Sequence, residues 1–309
     1  MRLLNKAIIL GVAVACIVIA FHNNVFAAVK TMPDGCKFDP QYYMQANPDV
    51  AQIYGVSDAD LYRHYTEYGK KEGRKPYLDV DTVVTLPTLN VFKRIGVVGD
   101  SFASGAVVTD GKLGDDYSVS WPQLMGKRNG VHVTNYTRGG FTTATWLMMP
   151  EGSFRMLNSM PDDLYILALG LNDSSIVGPF LGENYLGSMK DIKGNKYGSN
   201  YPSTFYGNYG RIIEQIKNHA PNAKMVMIYI NLPAPITDKY NEAITEIANY
   251  YGIPCIDQRM DSFFFTDTYL NMEMGHPTRE GHSGMADAFA RLIVMCMNNN
   301  RNYFYPYVK

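Results

Sequence analysis

Ser101 stands at the end of an apolar, β-prone run, in the stretch RIGVVGDSFASG from Arg94 to Gly105. Two readings are open for a serine in that place. Gly-Asp-Ser is good turn chemistry, and Asp or Ser can cap a helix. A strand that ends on a serine also offers a hydroxyl that could act as a nucleophile. Such a hydroxyl is weak unless a base lies within hydrogen-bond reach. His276, in the stretch EMGHPTREGH, is the candidate base. A metal site built from Glu273, His276 and His282 is a competing use of the same segment, but no further ligand pattern accompanies it. His282 reads as an end-of-helix or packing residue.

The elements that must bring Ser101 and His276 together can be read from the hydrophobic pattern. Short apolar runs, RIGVV, HVTNYT, DLYILALG, KMVMIYI and IPCID, alternate with helical segments near 120–128, 142–157, 204–219, 239–251 and 282–297. That alternation predicts a parallel sheet of about five strands with helices on both faces. In such sheets functional groups gather outside the carboxyl ends of the strands. The first strand ends at Ser101. The second leads into RGGFTT, the third into LGLND, and EMGHP follows the fifth.

These four segments, GDSF at 99–102, GGFTT at 139–143, GLND at 170–173 and EMGHP at 273–277, resemble in order the blocks of the SGNH/GDSL hydrolase family. The resemblance covers roughly residues 91–298. It implies a three-layer, flavodoxin-like α/β fold and a serine esterase without cofactor or metal. It also implies a nucleophile at Ser101, a base at His276, and an acid at Glu273, three residues before the histidine. Such an acid holds the far ring nitrogen and stabilises the imidazolium. The oxyanion donors implied are the N–H of Ser101, the N–H of Gly140 and the side chain of Asn172. Gly140 is preferred to Gly139 because it directly precedes FTT. Two departures stand out: Phe102 replaces the usual leucine, and Glu273 replaces the usual aspartate. The longer Glu273 side chain leaves open whether a carboxylate or a backbone carbonyl orients His276. The rival signature G-x-S-x-G occurs nowhere in the chain.

The N-terminus reads as an export signal over residues 1–27. Arg2 and Lys6 precede an apolar run from Ala7 to Phe21, and Val25 and Ala27 fit a small-residue cleavage site. The apolar run is short for a membrane span, so an uncleaved anchor is the alternative. Residues 34–77 read as a small helical module, similar to one appended to many secreted and cell-surface bacterial proteins. Asp39-Pro40, Asn47-Pro48 and Ser57 start its helices, and Gly55 and Gly69 stop two of them. A cell-surface association through this module is the partner it suggests. His64 reads as packed among its tyrosines. Residues 78–90 read as a linker, and 91–300 as the hydrolase domain.

The formal net charge of −1 carries no nucleic-acid footprint. Cys36, Cys255 and Cys296 remain after cleavage, an odd number, with a Cys255–Cys296 pair as one option. Residues 176–203 are polar and glycine-rich, and are expected to shape the substrate cleft. For an exported hydrolase, the family resemblance implies removal of acetyl groups from a polysaccharide as the expected activity. A lipid or thioester acyl hydrolase is the alternative within the enzyme class, and an idle glycan-binding protein the alternative outside it.

Overall fold

The computed structural model describes residues 30–55, 57–77, 87–181, 183–193, 201–231 and 235–308. The export-signal reading lies outside them, as does most of the linker. The chain divides into two compact units between residues 85 and 86.

In the N-terminal unit a two-stranded antiparallel ribbon, Lys30–Thr31 with Lys37–Phe38, precedes the helices. The module is thus not helical throughout. Gly35, at φ 81°, supplies the left-handed turn that brings these two short strands together. Helices follow at Pro40–Ala46, Pro48–Tyr54 and Asp58–His64. Asp39 caps the first by accepting from Tyr42 N–H, and Ser57 caps the third by accepting from Asp60 N–H. His64 is buried, with Nδ1 2.9 Å from the Tyr43 hydroxyl and the Tyr54 ring edge-on to it.

The C-terminal unit is built on one parallel sheet. Its strands are β1 (Arg94–Gly99), β4 (His132–Thr137), β5 (Leu164–Ala168), β6 (Lys224–Ile228) and β7 (Cys255–Ile256). Their order is β4-β1-β5-β6-β7, with every neighbouring pair parallel. Between β1 and β4 lie α1 (Ser101–Ser104), the hairpin β2 (Ala106–Thr109) and β3 (Lys112–Asp115), and α2 (Trp121–Asn129). Helices α3 (Thr143–Met148), α4 (Phe205–His219) and α5 (Pro235–Tyr251) follow in the crossovers. The hairpin β8 (Met272–Glu273) and β9 (His276–Pro277) leads into α6 (Arg279–Asn299).

Alternation along the strands sorts side chains between two cores. Ile95, Val97, Leu164, Ile166 and Val226 face α2 and α6, where Trp121, Met125, Phe289 and Ile293 pack. Val98, Tyr136, Tyr165, Leu167 and Met227 face the other helices, where Trp146, Tyr209, Ile213 and Ile244 pack. Both faces of the sheet are covered, which is why its strands read as nearly continuous apolar runs. The three-layer α/β fold read from the sequence is the one observed, with its five strands in the expected places.

Candidate active site

Ser101 sits where β1 ends and α1 begins. Asp100 caps the short helix, its carboxylate accepting from Phe102 N–H at 3.1 Å. This cap turns the chain sharply out of the sheet and leaves Ser101 N–H at the helix start, without an intramolecular acceptor among the described residues. Ser101 is 6% exposed. Asp100 is fully buried beside it, and desolvation raises its pKa to about 7, with the neighbouring Asp173 charge adding to the effect.

His276 reaches Ser101 from 175 residues away in sequence. Its Nε2 lies 2.9 Å from Ser101 Oγ, within hydrogen-bond reach. The Phe102 ring stands beside the imidazole, with centroids 5.6 Å apart. The family-atypical Phe102 therefore packs on the candidate base.

The other ring nitrogen does not meet Glu273. His276 Nδ1 lies 3.0 Å from the carbonyl oxygen of Met274. Glu273 is exposed and forms no ion pair with His276 among the described residues. This corrects Glu273 as the third member of a triad. The reason is the hairpin. Glu273 and His276 are cross-strand partners, joined by the two-residue turn Met274-Gly275. Both turn residues have positive φ, 48° at Met274 and 75° at Gly275, the primed-turn geometry that matches strand twist. The turn brings the Met274 carbonyl onto the imidazole, while the Glu273 carboxylate keeps its hydration. Neutral His276 can then donate from Nδ1 to that carbonyl and accept from Ser101 at Nε2.

The third and second blocks meet behind Ser101. Asn172 is 7% exposed, and its Nδ2 donates to the Phe141 carbonyl at 2.9 Å. One amide hydrogen is spent on orientation, which leaves the other for the cleft that Asn172 lines. Asp173 is fully buried and accepts from Thr143 N–H, the Thr143 hydroxyl at 2.6 Å and the Tyr185 hydroxyl at 2.6 Å. Burial nevertheless pushes its carboxyl above the usual range. This buried knot ties the GLND segment to the start of α3.

Gly139 and Gly140 form the centre of a turn closed by Phe141 N–H donating to Arg138 O at 3.2 Å. Gly140 has φ 78°, a conformation that favours glycine. Gly139 N–H is taken by Asp115 Oδ2 at 2.9 Å. Gly140 N–H has no such partner among the described residues. Gly140 is not one of the residues lining the cleft.

That cleft has a volume of about 310 Å³ and opens beside Ser101, Asn172 and His276. Beyond them its walls are mostly apolar: Leu169 and Leu171 after β5, Ile228 and Ile230 at the end of β6, and Tyr269, Met272, Met285 and Phe289 from the C-terminal segments. None of the described residues between 176 and 203 lines it; residues 182 and 194–200 of that segment lie outside the described residues. His282 lies outside the cleft, fully buried, with Nε2 3.3 Å from the Ala106 carbonyl. Burial lowers its pKa to about 4, which keeps it neutral. It packs the start of α6 against β2, as the sequence suggested.

Sequence reasoning missed two groups. The Met274 carbonyl carries no residue signature, although Met-Gly at a hairpin tip hints at a primed turn. Asp115 lies in a hairpin outside all four blocks.

A serine and histidine at hydrogen-bond distance on the carboxyl edge of a parallel sheet define the class: an α/β serine hydrolase. The family model described as GDSL-like Lipase/Acylhydrolase matches residues 97–283, and the chain belongs to that family. It is thus an SGNH-type serine ester hydrolase. Among solved structures, it is similar to a GDSL-like lipase from Bacteroides uniformis at 17% identity, over 64% of this chain and 94% of that one, with a TM-score of 0.48. It is also similar to the psychrotrophic esterase EstA from a Pseudoalteromonas species, at 15% identity over 67% and 100%, with a TM-score of 0.46. A carbohydrate esterase family 2 enzyme from Corynascus is similar at 15% identity over 67% of each chain, with a TM-score of 0.45. A search of curated protein sequences gave no match.

Proposed function

We propose that the chain hydrolyses carboxylic esters through an acyl intermediate on Ser101, with His276 as general base and then general acid. The observation that carries this reading is the 2.9 Å approach of His276 Nε2 to Ser101 Oγ. His276 takes the Ser101 proton as Oγ attacks the ester carbonyl. The oxyanion that forms is stabilised by Ser101 N–H, Gly140 N–H and the free amide hydrogen of Asn172. His276 then protonates the leaving alkoxide. Water, activated by the same ring, releases the acid and restores Ser101. The Met274 carbonyl holds the ring in the required tautomer throughout.

The acyl group favoured is apolar and longer than acetyl. Support comes from the 310 Å³ cleft and its aliphatic and aromatic walls. The exposed side chains of Ile176, Leu270 and Met274 adjoin the lining in sequence or belong to it. An acetylated glycan draws less support, because none of the described residues of the polar segment 176–203 lines the cleft. An N-terminal export signal would put the substrate outside the cell, and the helical module would add a surface attachment.

A series of p-nitrophenyl esters from two to eight carbons tests the acyl preference. Each buried methylene contributes about 0.8 kcal/mol, so kcat/KM should climb by roughly fourfold per carbon until the cleft is full. A maximum at acetate, with acetate released from acetylated polysaccharide, would return the glycan reading.

A further inference from the structure

We propose that Asp115 is a positioning residue for the oxyanion hole, clamping the Gly139–Gly140 turn to the helix that carries the nucleophile. The proposal rests on the serine-esterase reading above. Asp115 closes β3, and its two carboxylate oxygens serve two different segments. Oδ1 accepts from the Ser104 hydroxyl at 2.5 Å, and Oδ2 accepts from Gly139 N–H at 2.9 Å. Ser104 is fully buried at the end of α1, three residues from Ser101. Gly139 immediately precedes Gly140. One carboxylate therefore spans the nucleophile's helix and the turn that offers an oxyanion donor.

The turn needs such a clamp. Two successive glycines have the least restrained backbone available to a chain. A Cβ built on Gly140 would meet nothing within 4 Å, so no wall holds that side of the turn. On the other side a Cβ on Gly139 would come within 2.9 Å of Asp115 Oδ1. The carboxylate is both the wall and the hydrogen-bond acceptor. By occupying Gly139 N–H it fixes the peptide plane and leaves Gly140 N–H for substrate.

The β2–β3 hairpin has anchors of its own next to Asp115. Asp116 N–H donates to Gly105 O at 3.1 Å. The Asp116 carboxylate accepts from Arg279 Nη1 at 2.9 Å, three residues beyond His276. Removing the Asp115 carboxylate should therefore loosen the glycine turn and leave the hairpin in place.

The test is kcat and KM on p-nitrophenyl butyrate for wild type, Asp115→Ala and Asp115→Asn, with thermal midpoints and fluorophosphonate labelling of Ser101. A misplacement of about 1 Å can cost roughly 10² in rate, so Asp115→Ala should lose about 10- to 100-fold in kcat with KM little changed. Asp115→Asn keeps an oxygen for Gly139 N–H and an amide for Ser104 Oγ, and should regain most of the loss. An alanine variant within about threefold of wild type, a loss confined to KM, or an asparagine variant no better than alanine would each overturn the proposal. Should Asp115→Ala fail to fold, Ser104→Ala decides: kcat lowered at constant KM supports the clamp, and unchanged kcat overturns it. A wild type that is not labelled at Ser101 overturns the esterase reading, and the clamp with it, whereas a labelled wild type with a fully active Asp115→Ala overturns the clamp alone.

Discussion

His276 takes its orientation from a backbone carbonyl, and that choice has a kinetic consequence. A carboxylate partner fixes the tautomer and also stabilises the imidazolium by its charge, and its loss from a serine-protease triad costs about 10⁴ in kcat. The Met274 carbonyl supplies the first effect and only a partial dipole for the second. Glu273→Gln should therefore leave kcat/KM within about threefold of wild type, far from the 10⁴ scale of a lost triad acid. The acid limb of the pH–rate profile should also stay where it is, because Glu273 does not touch the ring. A loss of 10³ or more would place the carboxylate back on His276. Ser101 and His276 were legible as a candidate nucleophile and base, and Asn172 only through the resemblance of the four ordered segments to a known family. The third partner was not, since a main-chain oxygen belongs to every residue and only the turn decides where it points.

The hairpin from Met272 to Pro277 delivers that oxygen. Met274 sits at φ 48°, where a side chain costs roughly 1–2 kcal/mol relative to glycine. The strain is borne at the one place where the carbonyl must face the imidazole. Met274→Gly removes the strain and the exposed side chain but keeps the carbonyl. It should retain kcat on a short ester and lose affinity only as the acyl chain lengthens, read as KM across the p-nitrophenyl series. A collapse of kcat on acetate would show that the methionine side chain, and not its carbonyl, sets the ring. Apolar strands bounded by Gly and Asp made the five-stranded sheet readable, because a doubly covered strand has no polar face to confuse the pattern. Elements of two residues, such as β8 and β9, leave no periodicity to read. The same shortness hid the ribbon ahead of the N-terminal helices.

At the scale of the whole molecule, the site costs the fold a buried carboxylate. Asp100 is held near a pKa of about 7 by burial, against 3.8 for the free side chain. A raised folded pKa means the folded state binds its proton more tightly than the unfolded chain. Its contribution is therefore complete below about pH 4 and is lost as pH rises to about 7. Asp100→Asn keeps a side-chain oxygen for the Phe102 cap and has no charge to bury. Its stability relative to wild type, measured by denaturant unfolding, should rise between pH 4 and pH 7 and then level off. A pH-independent difference would mean that Asp100 ionises normally. Some of the 23 tyrosines serve as core: Tyr136, Tyr165 and Tyr209 are fully buried. Such a role is invisible in composition, because tyrosine suits both a wet edge and a dry interior. On the proposed mechanism one serine, Ser101 presented at the end of β1, carries the acyl group. Fluorophosphonate labelling of the intact protein, followed by peptide mass spectrometry, tests it most directly. A single phosphonylated residue at Ser101, absent from Ser101→Ala together with esterase activity, is the predicted result. Labelling at another serine, or turnover that survives in Ser101→Ala, would contradict it.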